Sequence, residues 1–467
     1  MKNLLTVAKS ARECLNGDSS WACGLLVDVG STFTKCLVVD PEGRVIGQSQ
    51  SPTTIEDDVV AGVCNAVERL PSRSSGPYDW ALVSSSAAGG LRMASVGLTA
   101  SLSGRAGELS ALGAGAKVVS SEHGLLDEAA LQRIEAAQVH LVLLAGGIDG
   151  GNTQALLHNA GMLAKLESPL GYIVAGNAHA SPNAAALLRT GERDVAVVEN
   201  VFPKPGEIQI PPTREAVREL FLRHITRAKG LSGLLDQLKT DCEPTPLAVS
   251  RAVSHVSDNS APVVFVDLGG ATTDVHSLGG QAIDRRNTEI PTPEVMRTVE
   301  GDLGMRWGAP GIVAAMSVAL RERLEQTLDC DLEFETQRRH DTPGFIPSDE
   351  KDRRIDDALA SAACTIAIER HAGRVIVRHR PWGDRYQVVG KDLRSTRLMV
   401  ATGGAFRFVD DAMVTVRTGL ADIEGVQAPK DPEIAIDSGY TLYAIGLLAR
   451  HSPTLAQRVA MNTLLAT

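Results

Sequence analysis

The sequence is short of the features that most directly announce a function. Lysine and arginine do not dominate: 46 stand against 56 aspartate and glutamate among 467 residues, a formal net charge of −10. Nucleic-acid binders need a cationic excess to displace counterions from phosphates, so nucleic acid is disfavoured as the main partner, as is an anionic membrane surface for the same reason. Cysteine is scattered, at 14, 23, 36, 64, 242, 330 and 364. An odd total without a CxxC pair removes a disulfide framework and a zinc knuckle, and it suits a reducing compartment. No uncharged apolar run reaches the roughly 18 residues of a membrane span. Near the N-terminus Lys9, Arg12 and Glu13 interrupt the apolar run before it attains signal-peptide length. A soluble, cytoplasmic protein is expected. There is no GxxxxGKS/T element and no HExxH, so neither a P-loop nucleotide site nor that paired-histidine metal site is present. Aromatic residues make up only 4%, which leaves the core to small and branched aliphatics.

Glycine, by contrast, is plentiful: 44 of 467 residues, about 9% against a usual roughly 7%, which predicts many tight turns. The length allows two to four domains of roughly 100 to 200 residues each. Aliphatic runs predict strands at 24–28, 37–39, 80–84, 140–145, 171–175 and 195–198, with helical patterns at 153–166 and 181–189 between some of them. Alternating strands and helices predict an α/β fold with largely parallel sheets. A proline-rich connector covers 202–212, helices are expected at 213–229, 231–239 and 246–256, and the strand at 262–267 starts another domain. Further on, 320–350 reads as a charged helical excursion, 350–372 as a helix, and a last amphipathic helix follows Pro453.

One device occurs twice. Val27-Asp28-Val29-Gly30-Ser31-Thr32-Phe33-Thr34-Lys35 aligns without a gap on Val266-Asp267-Leu268-Gly269-Gly270-Ala271-Thr272-Thr273-Asp274, at an offset of 267 − 28 = 239. A third glycine turn follows the apolar strand Leu398-Met-Val-Ala-Thr402, at Gly403-Gly404. A strand ending in Asp, then Gly and hydroxyl residues, offers backbone NH groups around a concave turn that suits phosphate oxygens. Glycine is needed where a side chain would block the backbone's approach to a ligand, and Ser31, Thr32, Thr34, Thr272 and Thr273 add hydroxyl donors. A carboxylate at the strand end suits hydrated magnesium. Either copy alone is equally a hairpin turn; the ordered pair, with the third turn behind it, predicts a nucleoside triphosphate with magnesium.

These residues resemble the first phosphate, second phosphate and adenosine elements of the actin-like ATPase superfamily, which includes sugar kinases and heat-shock chaperones. Gly439 to Gly446 is similar to its second interdomain connector. Within it, Ser84-Ser-Ser-Ala-Ala-Gly-Gly-Leu-Arg92, Leu144-Ala-Gly-Gly-Ile-Asp-Gly-Gly-Asn152, Ala175-Gly-Asn177 and Arg297-Thr-Val-Glu-Gly-Asp-Leu-Gly-Met-Arg306 resemble the glutamate mutase accessory family, MutL or GlmL, which is unrelated to the mismatch-repair protein of similar name. The resemblance spans roughly residues 22 to 450. It implies a two-lobed α/β fold with duplicated domains and a nucleotide cleft between them. The expected boundaries are a leader at 1–21, a first lobe at 22–212, a helical connector at 213–260, a second lobe at 261–430, and C-terminal helices at 431–467 returning to the first lobe. It implies ATP and Mg2+ as cofactors, with Asp28 and Asp267 as magnesium-side carboxylates. Gly30, Ser31, Thr32, Gly269, Gly270 and Thr272 would lie on the phosphates, and Gly403 and Gly404 beneath the adenosine. The implied activity is ATP-dependent reactivation of an adenosylcobalamin-dependent mutase, whose subunits are the protein partner. A small-molecule kinase and a nucleotide-binding scaffold without turnover are the alternatives.

Some residues keep two readings. Lys35 either reaches phosphate or points outward on the next strand. Asp149 either orients the hydrolytic water or is a turn residue, with Asn152 capping the helix after it. Glu300 and Asp302, beside Arg297 and Arg306, either orient a ligand or form solvated ion pairs. Asp274-Val-His276-Ser-Leu-Gly279 fits the DxHxxG pattern of a cobalt-ligating histidine, but its alternation predicts that His276 is a strand residue of the phosphate hairpin.

Overall fold

The computed structural model describes residues 5–464 except 6, 16–19, 31–32, 55–58, 75, 87–90, 100–105, 108–109, 112–115, 168–170, 190–192, 206, 227–230, 257–260, 281–293, 343, 379–384, 408–410, 422 and 424. Its contacts divide the chain into two units, Met1–Val38 with Gly47–Ala248, and Val39–Ile46 with Val249–Thr467. Among the described residues no helix is long and apolar enough to cross a membrane.

The first unit opens with α1 (Ala11–Leu15) and β1 (Gly24–Val29). All of β1 is buried, Leu25, Leu26, Val27 and Val29 supplying aliphatic bulk to both faces, as an internal strand of a covered sheet requires. Gly24 makes room for Trp80, since a Cβ there would fall 2.0 Å from the indole. After β2 (Phe33–Val39), β3 (Val45–Pro52) and α2 (Val59–Glu68), the chain enters β4 (Trp80–Ser85), which pairs parallel with β1. The next strand of this sheet arrives only at residue 242.

In between stands a second sheet. It comprises β5 (Leu91–Gly97), β6 (Ala116–His123), β7 (Leu141–Leu144), β8 (Gly171–Val174) and β9 (Asp194–Val197), interleaved with α3 (Glu128–Ala136), α4 (Gln154–Leu163) and α5 (Ser181–Leu188). Every pairing is parallel, in the order β6-β5-β7-β8-β9. Parallel neighbours need crossovers, and these helices supply them. Val142, Leu144 and Val174 from the strands meet Leu131, Ile134, Leu156 and Leu163 from the helices in its core. Then α6 (Pro211–Thr226) and α7 (Leu231–Gln237) lead to β10 (Cys242–Pro244), which completes the first sheet as β10-β4-β1-β2-β3.

The division between units falls within α8 (Thr245–Val256). The second unit begins with an antiparallel meander of β11 (Val263–Leu268), β12 (Thr273–Leu278) and β13 (Val295–Glu300). Four helices follow: α9 (Ala309–Ala315), α10 (Val318–Leu328), α11 (Leu332–Asp341) and α12 (Glu350–His371). The charged excursion is therefore helical as expected. Ser317, Asp331 and Asp349 cap α10, α11 and α12, each side chain accepting from a backbone NH three residues on, which offsets the orphan donors of a helix start. The ribbon β14 (Arg374–Arg378) with β15 (Arg385–Val389) precedes β16 (Leu398–Thr402), which pairs parallel with β11. After α13 (Ala412–Ala421), β17 (Glu433–Ile436) pairs parallel with β16, and α14 (Leu442–His451) and α15 (Pro453–Thr463) end the chain. Arg458 and Asn462 of α15 donate to the carbonyls of Pro41 (2.7 Å) and Gly43 (3.0 Å) in the turn assigned to this unit.

The second unit's sheet runs β13-β12-β11-β16-β17. Numbered by order along the chain, this sheet and the β10-β4-β1-β2-β3 sheet both read third, second, first, fourth, fifth. The duplication seen in the two Asp-Gly segments thus extends to the whole sheet, and the α/β class with repeated domains is borne out.

Candidate functional site

In the first unit Asp28 lies in β1 just before the turn. Its carboxylate is nearly inaccessible, and hydroxyls serve it: Ser84 donates to Oδ1 at 3.0 Å and Thr245 to the same oxygen at 2.6 Å. Lys35 Nζ stands 3.5 Å from Oδ2, so its ammonium is turned to the strand-end carboxylate. The turn is closed by the Gly30 NH donating to the Phe33 carbonyl at 3.1 Å, and a Cβ on Gly30 would sit 2.5 Å from that oxygen. Ser31 and Thr32 lie outside the described residues. Thr34 is buried and paired with the Thr53 hydroxyl at 3.0 Å.

The second turn closes in the same way. The Gly269 NH donates to the Thr272 carbonyl at 2.9 Å, at the aligned positions. Asp267 is half-buried and faces two register partners, Asp274 on β12 and Thr402 on β16. Asp274 stands where the first copy has Lys35. The charge reversal is balanced by Arg297, whose Nη2 lies 2.6 Å from Asp274 Oδ1, while Thr272 donates to Oδ2 at 3.3 Å. Thr273 instead donates to the Leu303 carbonyl, which leaves Thr272 as the hydroxyl at the turn. At the third turn Gly403 has φ +111°, and a Cβ there would lie 2.2 Å from the Leu268 carbonyl oxygen. Only glycine lets β16 turn so close against the end of β11. Gly404 is less constrained, with 3.5 Å to the Tyr440 hydroxyl.

A further carboxylate emerges from the sheet register. Asp28 pairs with Ser84, and Ser84 pairs with Glu243 on β10. Register partners on parallel strands present side chains to the same face, about 4.8 Å apart per strand. Glu243 is nearly inaccessible, with Arg218 Nη2 3.8 Å away. The second unit has a counterpart in Asp437, just after β17. It accepts from Thr402 (3.0 Å), from the Thr441 NH and hydroxyl (2.7 and 2.8 Å) and from the Leu442 NH (3.2 Å). Burial pushes its pKa up, and those hydrogen bonds pull it back. Sequence reasoning passed over both acids. The available signal was an acid at a short strand's end with a threonine a few residues on, Glu243-Pro-Thr245 and Asp437-Ser-Gly-Tyr-Thr441. Their spacing differs from the offset of the aligned turns, so a gap-free comparison does not find them.

Asp149 belongs to the other sheet of the first unit. Its Oδ1 accepts from the Ala178 NH and from Asn200 Nδ2, both at 2.9 Å, and its own NH donates to the Pro203 carbonyl. Asn152 Oδ1 accepts from the NH groups of Gln154 and Ala155 at the start of α4. Asn177, fully buried, donates to the carbonyls of Ile148 and Gly151. The Leu144–Asn152 and Ala175–Asn177 segments are thus stitched together as turns. In the Arg297–Arg306 segment the acids pair outside it: Arg370 binds Glu300 (2.8 Å) and Asp302 (2.8 Å), while Arg306 binds Asp356 (3.0 Å). His276 is a buried residue of β12, bonded to the Ser250 hydroxyl at 3.0 Å.

Two sheets of one topology, each carrying an acid-glycine turn closed by the same hydrogen bond, define the protein as a duplicated α/β protein with a repeated acid-glycine turn. The chain belongs to the MutL protein family, whose model matches residues 24–464. It is 34% identical over 450 residues, 93% of this chain and 97% of the relative, to Protein MutL of Clostridium tetanomorphum. Solved structures with a similar chain path are remote. A nucleotide-free acetone carboxylase covers 91% of this chain and 70% of its own at 11% identity and a TM-score of 0.42. For a gluconate kinase from Lactobacillus acidophilus the values are 95%, 92%, 12% and 0.36. For the ADPNP-bound activator of 2-hydroxyisocaproyl-CoA dehydratase from Clostridium difficile they are 94%, 97%, 10% and 0.29. At these TM-scores none of the three bears on substrate or mechanism.

Proposed function

We propose that the protein binds ATP with magnesium at its Asp-Gly turns and hydrolyses it as an accessory, reactivating protein for an adenosylcobalamin-dependent mutase, glutamate mutase or a related aminomutase. The observation that carries this reading is the repeated turn in its repeated sheet, with a strand-end carboxylate each time. Family membership over nearly the whole chain supports the accessory role.

Each turn suits a polyphosphate in its chemistry. Gly30 and Gly269 bring no side chain to the turns, and Thr272 and the Lys35 ammonium supply donors. Asp28 in the first unit and Asp267 in the second are each the carboxylate that would serve magnesium, which would neutralise charge on the phosphate oxygens. Among the described residues no group of three or more His, Cys, Asp or Glu could cage a metal unaided. Phosphoryl transfer to water needs an oriented nucleophile more than a strong base. We assign that positioning to Glu243, in the row of Asp28 and Ser84, rather than to Asp149, whose carboxylate already ties two loops of a different sheet.

Asp28→Ala and Asp267→Ala are each expected to abolish ATP turnover by the purified protein; full hydrolysis in both variants would remove the assignment. With inactivated glutamate mutase as substrate, ATP-dependent recovery of mutase activity supports the accessory role. Transfer of phosphate to a metabolite would establish a kinase instead.

A further inference from the structure

We propose that Arg306 is the positioning residue of the second phosphate turn, tying its backbone to the helices α11 and α12. The proposal rests on the nucleotide reading of that turn and assigns a role to the Arg297–Arg306 segment.

The segment's last residues lie directly behind the turn. The Met305 NH donates to the Gly269 carbonyl at 3.0 Å and the Arg306 NH to the Gly270 carbonyl at 2.7 Å. With both carbonyls held from behind, the turn's peptide planes are fixed, and NH groups that are to meet phosphate are preset rather than ordered on binding. Two glycines permit this contact. A Cβ on Gly304 would fall 2.3 Å from the Ala271 carbonyl carbon, and one on Gly308 2.8 Å from the Ala271 oxygen.

The Arg306 side chain anchors that backbone elsewhere. Its Nε donates to the Phe345 carbonyl at 2.9 Å and its Nη2 to Asp356 Oδ2 at 3.0 Å. Asp356 is nearly inaccessible and also binds Arg339 Nε at 2.6 Å; Arg339 is itself fully buried. The guanidinium groups of Arg306, Arg338 and Arg339 all lie over the Phe345 ring, 5.4, 4.8 and 4.9 Å from its centroid. Charge-assisted bonds inside such a buried cluster are stiff, because breaking one strands a charge. A lysine would keep the charge opposite Asp356 but has no fork with which to hold the Phe345 carbonyl as well.

The full-length protein carrying Arg306→Gln or Arg306→Lys tests this by two readouts. One is amide hydrogen exchange across 269–272 without nucleotide; the other is the split between KM for ATP and kcat. Arg306→Gln is expected to speed exchange of the turn and raise KM about tenfold while kcat stays within about twofold, with Arg306→Lys intermediate. Unaltered exchange and KM in a folded Arg306→Gln protein would overturn the proposal. If that variant fails to fold, Arg306→Lys carries the same test. Wild-type protein that binds no ATP would defeat the nucleotide reading, and the exchange measurement would still decide whether Arg306 positions the turn.

Discussion

Three partners converge on the carboxylate of Asp28, and the row it begins ends at Glu243. If Glu243 orients the attacking water, Glu243→Gln preserves shape and removes only charge. Steady-state hydrolysis should fall on the order of 10²- to 10³-fold with ATP affinity held, and equal losses in affinity and rate would point to a structural role. A second group of residues sets a pH response. His276 bonds Ser250, and His371 bonds Ser277 (2.7 Å) and Thr298 (2.9 Å), all inside the second unit. Burial holds both imidazoles well below the usual histidine pKa, with Arg297 acting in the same sense on His276 and Lys391 on His371. The unfolded chain takes up these protons below about pH 6.5 and the folded chain does not. The unfolded state therefore binds more protons, and stability is lost as pH falls below that value, by about 1.4 kcal/mol per pH unit for each histidine. Urea midpoints at pH 7.5 and 5.5 check this. A midpoint no lower at 5.5 would contradict it, and His371→Gln should make the slope shallower.

At the scale of elements, the third turn separates two adjacent glycines. Gly403→Ala places a methyl group against the Leu268 carbonyl at a backbone conformation that L residues avoid, costing about 1–3 kcal/mol. Gly404→Ala meets nothing nearer than ordinary van der Waals contact. Thermal melts of the two variants should therefore diverge, with only the first lowered. The elements also show where sequence reading stops. The hairpins at Asp28 and Asp267 were legible because their glycines, acids and threonines repeat in order. Between residues 80 and 198, β4, β7, β8 and β9 were legible as strands, but β5 and β6 were not, and nothing showed that the strands belong to two sheets. Aliphatic runs report burial, and β4 and β7 are equally buried. Only pairing reveals that β4 waits for β10 while β5 to β9 build a sheet of their own. For Asp149, on a glycine-rich loop, the sequence left a water-orienting and a turn reading open, because local pattern does not reveal that Asn200 and Ala178 donate to its Oδ1.

For the whole molecule, a ligand that binds the native state alone stabilises it by mass action, about 2.7 kcal/mol at a hundredfold excess over Kd. Magnesium-ATP should raise the melting temperature of the wild type, and Asp267→Ala should lose that shift while melting near the wild type without ligand. A wild type indifferent to nucleotide would contradict the proposed activity. By itself the sequence determined the α/β class, the acidic character that turns the chain from polyanions, the duplicated acid-glycine turn and the family, because each rests on composition or on residues contiguous along the chain. The tertiary structure alone decided that the duplication embraces two complete sheets, that Glu243 joins Asp28 and Ser84 in one row, and that Arg306 backs the second turn. Strand register and buried charge pairs join residues far apart in sequence, and no local pattern carries that information.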